Sequence, residues 1–575
     1  MTLFFVLFFV LPEDVIFKTE QDLDFELILR DLEYLQKHPL DINIAGVEEL
    51  AQIPFLTLNT IIKIIEHRKA YGSFASLDDL ARVPDIDKAL IDAVRPFLTV
   101  GVKKIEVTKI AARARFDTEL PTKEQSVEYY TRIGATFGEY GVHVVTEKDA
   151  YEQSFFDHFA AGLLINEGRR KFALGKYNLD LGAGAVVSSV GSFFRGIDFR
   201  LMMNERGLIP YTSALENGGF FGAAFNDSLL INYTLFYSNQ KLDGRIDSAG
   251  YARSLDESGL HIDSLSLDRK DRINEEIFGY DVRYRRSNMV VANRTYFCRY
   301  EPAFATTDSL SGFYGDDFFI SSLEFRYIGE SFVMFSEVAR SWRNNFGGMF
   351  GFSAVFPFFD FTIAGKYFPV NFYSPKGIEA TPNVAAGTID LKHRSRFIDV
   401  GLNFALDNRI DEDTAKYGMK LSFEKRLGII DARVNLRLRY RAEVRDISGS
   451  EVLMRIRPVR FVFIDVRFEQ RSVYKEAVES GIFGALELGI DLKNIDVRVR
   501  YGIFNTDSYA ARIYAYEIDV PGIVNNRMLY DSGQYGFVYV ALRPFRMIKL
   551  SAKYSVVDRD ETQESKFGGQ VDIDL

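Results

Sequence analysis

A single cysteine, Cys298, stands among 575 residues, which excludes an intrachain disulfide and any cysteine-built metal centre. Tryptophan also occurs once and proline only 15 times, against 51 Phe and 30 Tyr. No apolar run reaches the roughly 18 residues that a membrane-crossing helix needs. If the chain enters a membrane, it enters as strands. The histidines, His38, His67, His143, His158, His261 and His393, show no HExxH or other metal-ligand spacing, and no GxSxG or Walker-type sequence occurs. Catalytic, cofactor-binding and metal residues are therefore all expected to be none, and an enzyme is not expected. A site assembled across strands would be the one route to catalysis that leaves no linear motif.

Charge is unevenly placed. Residues 12–98 hold 17 Asp and Glu against 9 Lys and Arg, so most of the net charge of -10 lies near the N-terminus. An acidic segment repels phosphate backbones and lacks the basic footprint of a nucleic-acid binder. Ahead of it, Thr2 to Leu11 (TLFFVLFFVL) is an apolar run suited to the core of an export signal. No Lys or Arg precedes that run and no small-x-small cleavage site follows it. The alternative is the hydrophobic start of a strand or helix in a cytosolic protein.

Two periodicities divide the rest. Leu23, Leu27, Leu32 and Leu35 recur at helical spacing until Pro39, and a denser helical block follows to Leu98. In that block Asn43 is a candidate N-cap, Ile61, Ile62, Ile64 and Ile65 form an apolar face, and Gly72 ends the helix. From about Lys104 the period becomes two. In Arg433 to Arg441 (RVNLRLRYR), Val434, Leu436, Leu438 and Tyr440 face one side and the arginines the other. FVFIDVRFE from Phe461 and NIDVRVRYG from Asn494 repeat the pattern. About 24 such segments, each of roughly 10 to 14 residues, match tilted membrane strands.

The polar members of this alternation are often fully charged, which suits a wet interior inside a greasy wall better than a soluble sandwich. Connections alternate between short and long. Leu427-Gly428 and Arg543-Pro544 are expected to be tight turns, while 239–274 and 372–394 are long and polar. The fold expected is mainly β, a large antiparallel transmembrane β-barrel preceded by a small all-α domain. Its boundaries are 1–19 for the export signal and linker, 20–100 for the helical domain and 101–575 for the barrel. Arg433, Arg437, Arg439, Arg441, Arg498 and Arg500 are the candidate lumen residues, because lipid-facing arginine costs about 2 to 4 kcal/mol at the bilayer midplane. An arginine-lined wall favours anions, unless Asp465, Glu469 and Asp496 cancel its field. The leading expectation is that the charges pair across adjacent strands and fill the interior. Leu181 to Phe194 (LGAGAVVSSVGSFF) lacks sustained alternation and is expected to be a glycine-kinked strand, with an inward-folded plug as the alternative.

The block Leu40 to Leu98 resembles the ComEA-type helix-hairpin-helix family of competence and DNA-uptake proteins. The resemblance rests on Ile42, Asn43 and Ala45, the EEL of Glu48 to Leu50, the run His67, Arg68, Gly72 and Phe74, and Asp79-Leu80. In that family the hairpins usually read Pro-Gly-Ile-Gly, and the glycines let backbone N–H groups approach phosphate. Here the hairpin turns carry Pro54, Phe55 and Thr57, then Pro84, Asp85 and Asp87, so all four glycine positions hold something else. Asp85 and Asp87 would set negative charge where phosphate should sit. His67 and Arg68 are expected on a helix surface without chemistry.

A second resemblance, spanning about 170 to 300, is to large outer-membrane proteins of Bacteroidetes-like bacteria in which a helix-hairpin-helix domain precedes a barrel. It rests on Leu174 to Tyr177, Leu181 to Gly184, Pro210 to Ser213 with Glu216, Phe220 to Ala224, Phe236 to Ser238 with Leu242-Asp243, and Ser258 to His261. Together the resemblances imply a bacterial outer-membrane protein with a periplasmic N-terminal domain. Its role would be that of a pore, a secretion component or a surface-attachment component. The expected partners are outer-membrane lipid and a periplasmic protein bound through the acidic domain; nucleic acid is disfavoured. The alternative is a DNA-binding or DNA-uptake protein acting through the helical domain. The isolated fragment 20–100 is expected to fold and to show no salt-dependent DNA binding in a low-salt gel shift. Micromolar binding lost as salt rises would put the DNA reading first.

Overall fold

The computed structural model describes residues 35–575 except 37–38, 54–55, 85, 87, 102–107, 122–125, 153, 155, 189–204, 229–230, 257–258, 287, 306–312, 330, 379–382, 394, 396, 411–415, 442–444, 460, 475–476, 524 and 561. The expected export run at Thr2 to Leu11 and the helical leucines Leu23, Leu27 and Leu32 lie outside the described residues. The chain divides into two compact units. Met1–Thr108, Ala135–Val144 and Ala160–Gly387 form the first, and Lys109–Gly134, Val145–Phe159 and Thr388–Leu575 the second.

The helical domain opens the first unit. It contains α1 (Val47–Ala51), α2 (Leu58–Tyr71), a 3-10 turn at Leu77–Arg82 and α3 (Lys88–Val94). Two short strands, Leu40–Asp41 and Leu98–Thr99, pair in parallel and tie its ends together. Ile42, Leu50, Ile53, Leu56, Ile61, Ile64, Leu80, Ile91, Val94 and Phe97 are buried and supply its core. The Thr57 side chain caps α2 by accepting from the Thr60 backbone N–H, and Gly72 ends the helix at φ 85°, a conformation that L side chains rarely adopt.

Two expectations fail here for one reason. Asn43 is not an N-cap: Gly46 occupies that place, with the Glu49 carboxylate accepting from its N–H at 2.9 Å. The Asn43 amide instead donates to Phe74 O at 3.0 Å and accepts from Phe74 N–H at 2.8 Å. Arg68 is likewise not a bare surface residue, since its Nη1 donates to Ile42 O at 2.6 Å and Ala45 O at 2.9 Å. His67 stacks on Phe74 with ring centroids 5.1 Å apart. The recurring side chains thus fasten the loop before α1 to the far end of α2, satisfying buried backbone groups that no helix serves.

Among the described residues, 24 wall strands close into one antiparallel barrel. They run from 9 to 16 residues. The first and last of them, Thr108–Leu120 and Gln563–Asp574, pair from Ala111↔Asp574 to Leu120↔Ser565. The exposure pattern is the inverse of a soluble protein's. Along Ile495–Thr506, Val499, Tyr501 and Ile503 are 42%, 55% and 58% exposed, whereas Arg498 and Arg500 are 1% and 6% exposed. Strand Ile430–Arg441 behaves alike: Leu436, Leu438 and Tyr440 are exposed and Asn435 is buried. An apolar exterior over a polar interior is what a strand wall in hydrocarbon requires.

Connections alternate between short and long, but Val384–His393, inside the expected connection 372–394, is a wall strand, and the turn expected at Leu427-Gly428 falls one residue later. Gly138-Glu139, Gly168-Arg169 and Gly428-Ile429 are two-residue turns whose glycines sit at φ near 60°. At the other end lie 243–272, 369–383 and 507–531. Arg543-Pro544 is a correction. Both residues lie inside strand Ser532–Phe545, at a register shift between Leu542 and Phe545, and the turn falls at Arg546-Met547. A bulge tolerates a residue that has no N–H to donate. In the first unit the helical domain meets the short-turn end, where Asn59 Nδ2 donates to Asp360 Oδ1 at 3.1 Å.

Candidate functional site

In the second unit the connection 507–531 turns into the interior. After a 3-10 turn at Tyr509–Ala511, strands Ile513–Glu517 and Asn525–Leu529 pair as a hairpin in the register Ile513↔Leu529 to Glu517↔Asn525. Ile513, Ala515, Glu517, Ile518, Val520 and Leu529 are buried. A two-stranded hairpin leaves every second carbonyl of its outer edge without a partner strand, and a buried carbonyl needs a donor. Wall arginines supply it. Arg471 Nη1 donates to Arg512 O at 3.0 Å, Arg467 Nη2 to Tyr514 O at 3.2 Å, and Arg500 Nη1 to Tyr516 O. Three guanidinium groups, from strands Val462–Tyr474 and Ile495–Thr506, thus serve carbonyls two residues apart where a third strand would lie.

The hairpin's acids complete the attachment. Lys553 Nζ, from strand Ile548–Arg559, contacts Glu517 Oε2 and lies 2.9 Å from Asp519 Oδ2. Arg527, on the hairpin, pairs with Glu517 at 3.2 Å and donates to Ser555 Oγ at 2.9 Å. The root of the hairpin passes so close to the wall that a Cβ on Gly481 would lie 2.3 Å from Ala511 O.

The candidate lumen arginines fall into groups. Arg498 donates to Asp496 at 3.1 Å and Arg500 to Glu487 at 2.8 Å, so these two belong to the wall beneath the hairpin. Arg437 pairs with Glu451 at 2.8 Å, and Glu451 also meets Arg467 at 3.1 Å. Arg433 pairs with Glu424 across the neighbouring strand at 2.9 Å, and Arg439 is half-buried. The side chain of Arg441 lies outside what the structure describes. Arg467, Arg471, Lys553, Glu517 and Asp519 went unread in the sequence. The available signal was the alternation in IYAYE from Ile513.

The first unit has its own inward segment. Residues 181–188 form no wall strand: a lone bridge joins Leu181 to Val187, and Ala183, Ala185 and Val186 are buried. Leu181 to Ser188 therefore adopts the plug alternative rather than the glycine-kinked strand; 189–194 lie outside the described residues. The Glu337 carboxylate accepts from Ala183 N–H at 3.0 Å and Ala185 N–H at 3.2 Å. Arg294 holds Glu337 at 2.7 Å, Glu324 at 2.6 Å and Asp281 at 3.0 Å. The connection 369–383 joins in, with Ser374 Oγ donating to Ala185 O at 2.8 Å and Ile378 N–H to Gly184 O at 2.8 Å.

His261 also acquires neighbours that its spacing hid. Its Nε2 lies 3.3 Å from Asp243 and its Nδ1 3.5 Å from Glu216. The Lys270 ammonium stands 3.3 Å from the same Nδ1, which makes this group an ion-pair and hydrogen-bond network with a resident cation. In the helical domain Pro54, Phe55, Asp85 and Asp87 lie outside the described residues; Thr57 is the cap of α2 and Pro84 is exposed. Outside the membrane-spanning strands, hydrogen bonding from the Ser76 N–H holds the Asp79 carboxyl below its ordinary range.

Residues 36–99 match the helix-hairpin-helix motif. No curated protein matches the chain. Among solved structures, the barrel is similar to a mutant of the ferric enterobactin receptor PfeA from Pseudomonas aeruginosa, at 7% identity over 83% of this chain and 82% of that one, with a TM-score of 0.41. It is also similar to the P pilus usher PapC translocation pore (8% identity, 81% and 99% coverage, TM-score 0.37). The copper transporter OprC gives 9% identity, 83% and 82% coverage and a TM-score of 0.37. Likeness at this level carries nothing about cargo. The barrel's apolar exterior and charged interior are those of a membrane-spanning barrel, and the helix-hairpin-helix motif lies on its N-terminal side in the sequence.

Gly182 offers a direct check on the inward segment of the first unit. It sits at φ +67°, and a Cβ there would lie 2.0 Å from Arg294 Nη1. Gly182→Ala is expected to destabilise the protein by more than the roughly 1–2 kcal/mol of a left-handed residue alone. The readout is a lowered temperature for loss of the fast-migrating folded form on gels. An unchanged temperature would mean that the segment is not seated against Arg294.

Proposed function

We propose that the protein is a gated outer-membrane conduit, not an enzyme. Outer-membrane lipid surrounds its apolar wall, and the connection 507–531 closes the interior of the second unit at rest. The helix-hairpin-helix domain lies in the periplasm and serves as a protein-docking module; its acidity and its lost hairpin glycines argue against DNA. One observation carries the reading. The hairpin is joined to the wall through side chains that reach its edge carbonyls and its two acids, not through a continuous ladder of backbone hydrogen bonds. A strand joined to its neighbour by a full ladder is a fixed part of a sheet, whereas a hairpin held by side chains can leave as a unit.

The same observation ranks the conduit above a permanently filled surface platform. In planar bilayers the full chain is expected to be closed for most of the record. A variant in which 511–529 is replaced by a short Gly-Ser linker is expected to conduct steadily. Steady conductance in both proteins, or none in either, would contradict the gated reading.

A further inference from the structure

Lys553 has two carboxylate partners among the described residues, Glu517 and Asp519, and both belong to the hairpin. The ammonium is buried and also stands over the face of Phe537, 5.4 Å away. The described wall acid in the same row, Asp117, lies two strands away across Gly568 and is engaged by Arg115 at 3.4 Å. Departure of the hairpin removes both anions from Lys553 together and uncovers Arg467, Arg471 and Arg500, whose donors it had occupied. Lys553 loses both counter-charges when the hairpin leaves, so an anion that takes their place favours the open state.

We propose that the hairpin is a resident mimic of the solute. Lys553, with Arg500 against the same Phe537 ring, forms an anion site, and the matching ligand class is a small polycarboxylate that presents two carboxylates to one ammonium as Glu517 and Asp519 do. Binding of such a solute and opening of the hairpin are then one exchange of anions. The geometry supports mimicry over a merely structural ion pair. Asp519 belongs to the hairpin's tip, where it also accepts from the Asn525 side chain at 2.7 Å and from the Val520 N–H at 2.7 Å. Two donors therefore aim that carboxylate at Lys553, and the outer edge of the same hairpin is read by arginines as a carboxylate-rich ligand would be.

This inference rests on the gated reading, and the test separates the two. Citrate is the probe, added on the long-loop side in planar bilayers, with the folded state of every variant checked by heat-modifiable migration. The open fraction of the unmodified protein is expected to rise about tenfold with millimolar citrate, the increase that supplying a counter-ion to one buried charge produces. Glu517→Gln with Asp519→Asn is expected to open without citrate. Lys553→Gln is expected to lose the citrate response, and Lys553→Arg to keep it. In the protein lacking 511–529, citrate is expected to block the current, and Lys553→Gln in that background to weaken the block about tenfold. If the shortened protein conducts but citrate acts equally with and without Lys553, the anion site is wrong and the gate stands. If the shortened protein does not conduct, the gated reading itself has failed.

Discussion

Hydrocarbon cannot hold a charge, and nearly every other feature of this molecule follows from that. Once a strand lies in a membrane wall its side chains alternate between lipid and interior, so each arginine of the alternating segments must turn inward. Arginine turned inward is then buried and needs a partner. The pairs Arg437–Glu451, Arg500–Glu487 and Arg498–Asp496 answer that demand within the wall. Connections that fold in add further oxygen atoms, as carbonyls to Arg467 and Arg471 and as carboxylates to Lys553.

The same rule operates with opposite sign in the first unit. There Arg294 stands among Asp281, Glu324 and Glu337, and the acid that it shares with the inward segment binds backbone N–H groups rather than carbonyls. Glu337 reaches the first segment through its N–H donors, and the wall arginines reach the second through its carbonyl acceptors. Each unit satisfies its buried charges with main-chain groups from a long connection. Short turns at the other end offer no chain to spare, which leaves that end to the helix-hairpin-helix domain.

Period and turn chemistry made the wall legible. Arg433 to Arg441 and Asn494 to Gly502 alternate without interruption, and Gly428 marks a two-residue turn. The helical domain was legible from its recurring residues, although Asn43 and Arg68 act across the fold where a linear reading expects a cap and a surface. Pro544 misled because a bulge absorbs proline inside a strand, and a bulge has no sequence mark. The inward segments were the least legible. Leu181 to Ser188 is rich in small residues without alternation, and Ile513–Glu517 shows an alternation too short to set it apart from a wall strand. Which arginine reaches which carbonyl depends on a hairpin meeting three wall side chains, and sequence spacing does not encode that meeting.

Spin labels placed one at a time along Ile495–Thr506, in protein with Cys298 replaced by Ser and reconstituted in vesicles, test the central claim most directly. Labels at 497, 499, 501 and 503 are predicted to be accessible to lipid-dissolved oxygen, and those at 498 and 500 to be shielded from it. Accessibility without that two-residue period, or oxygen reaching 498 and 500 rather than 499 and 501, would contradict a wall with lipid outside and paired charge within.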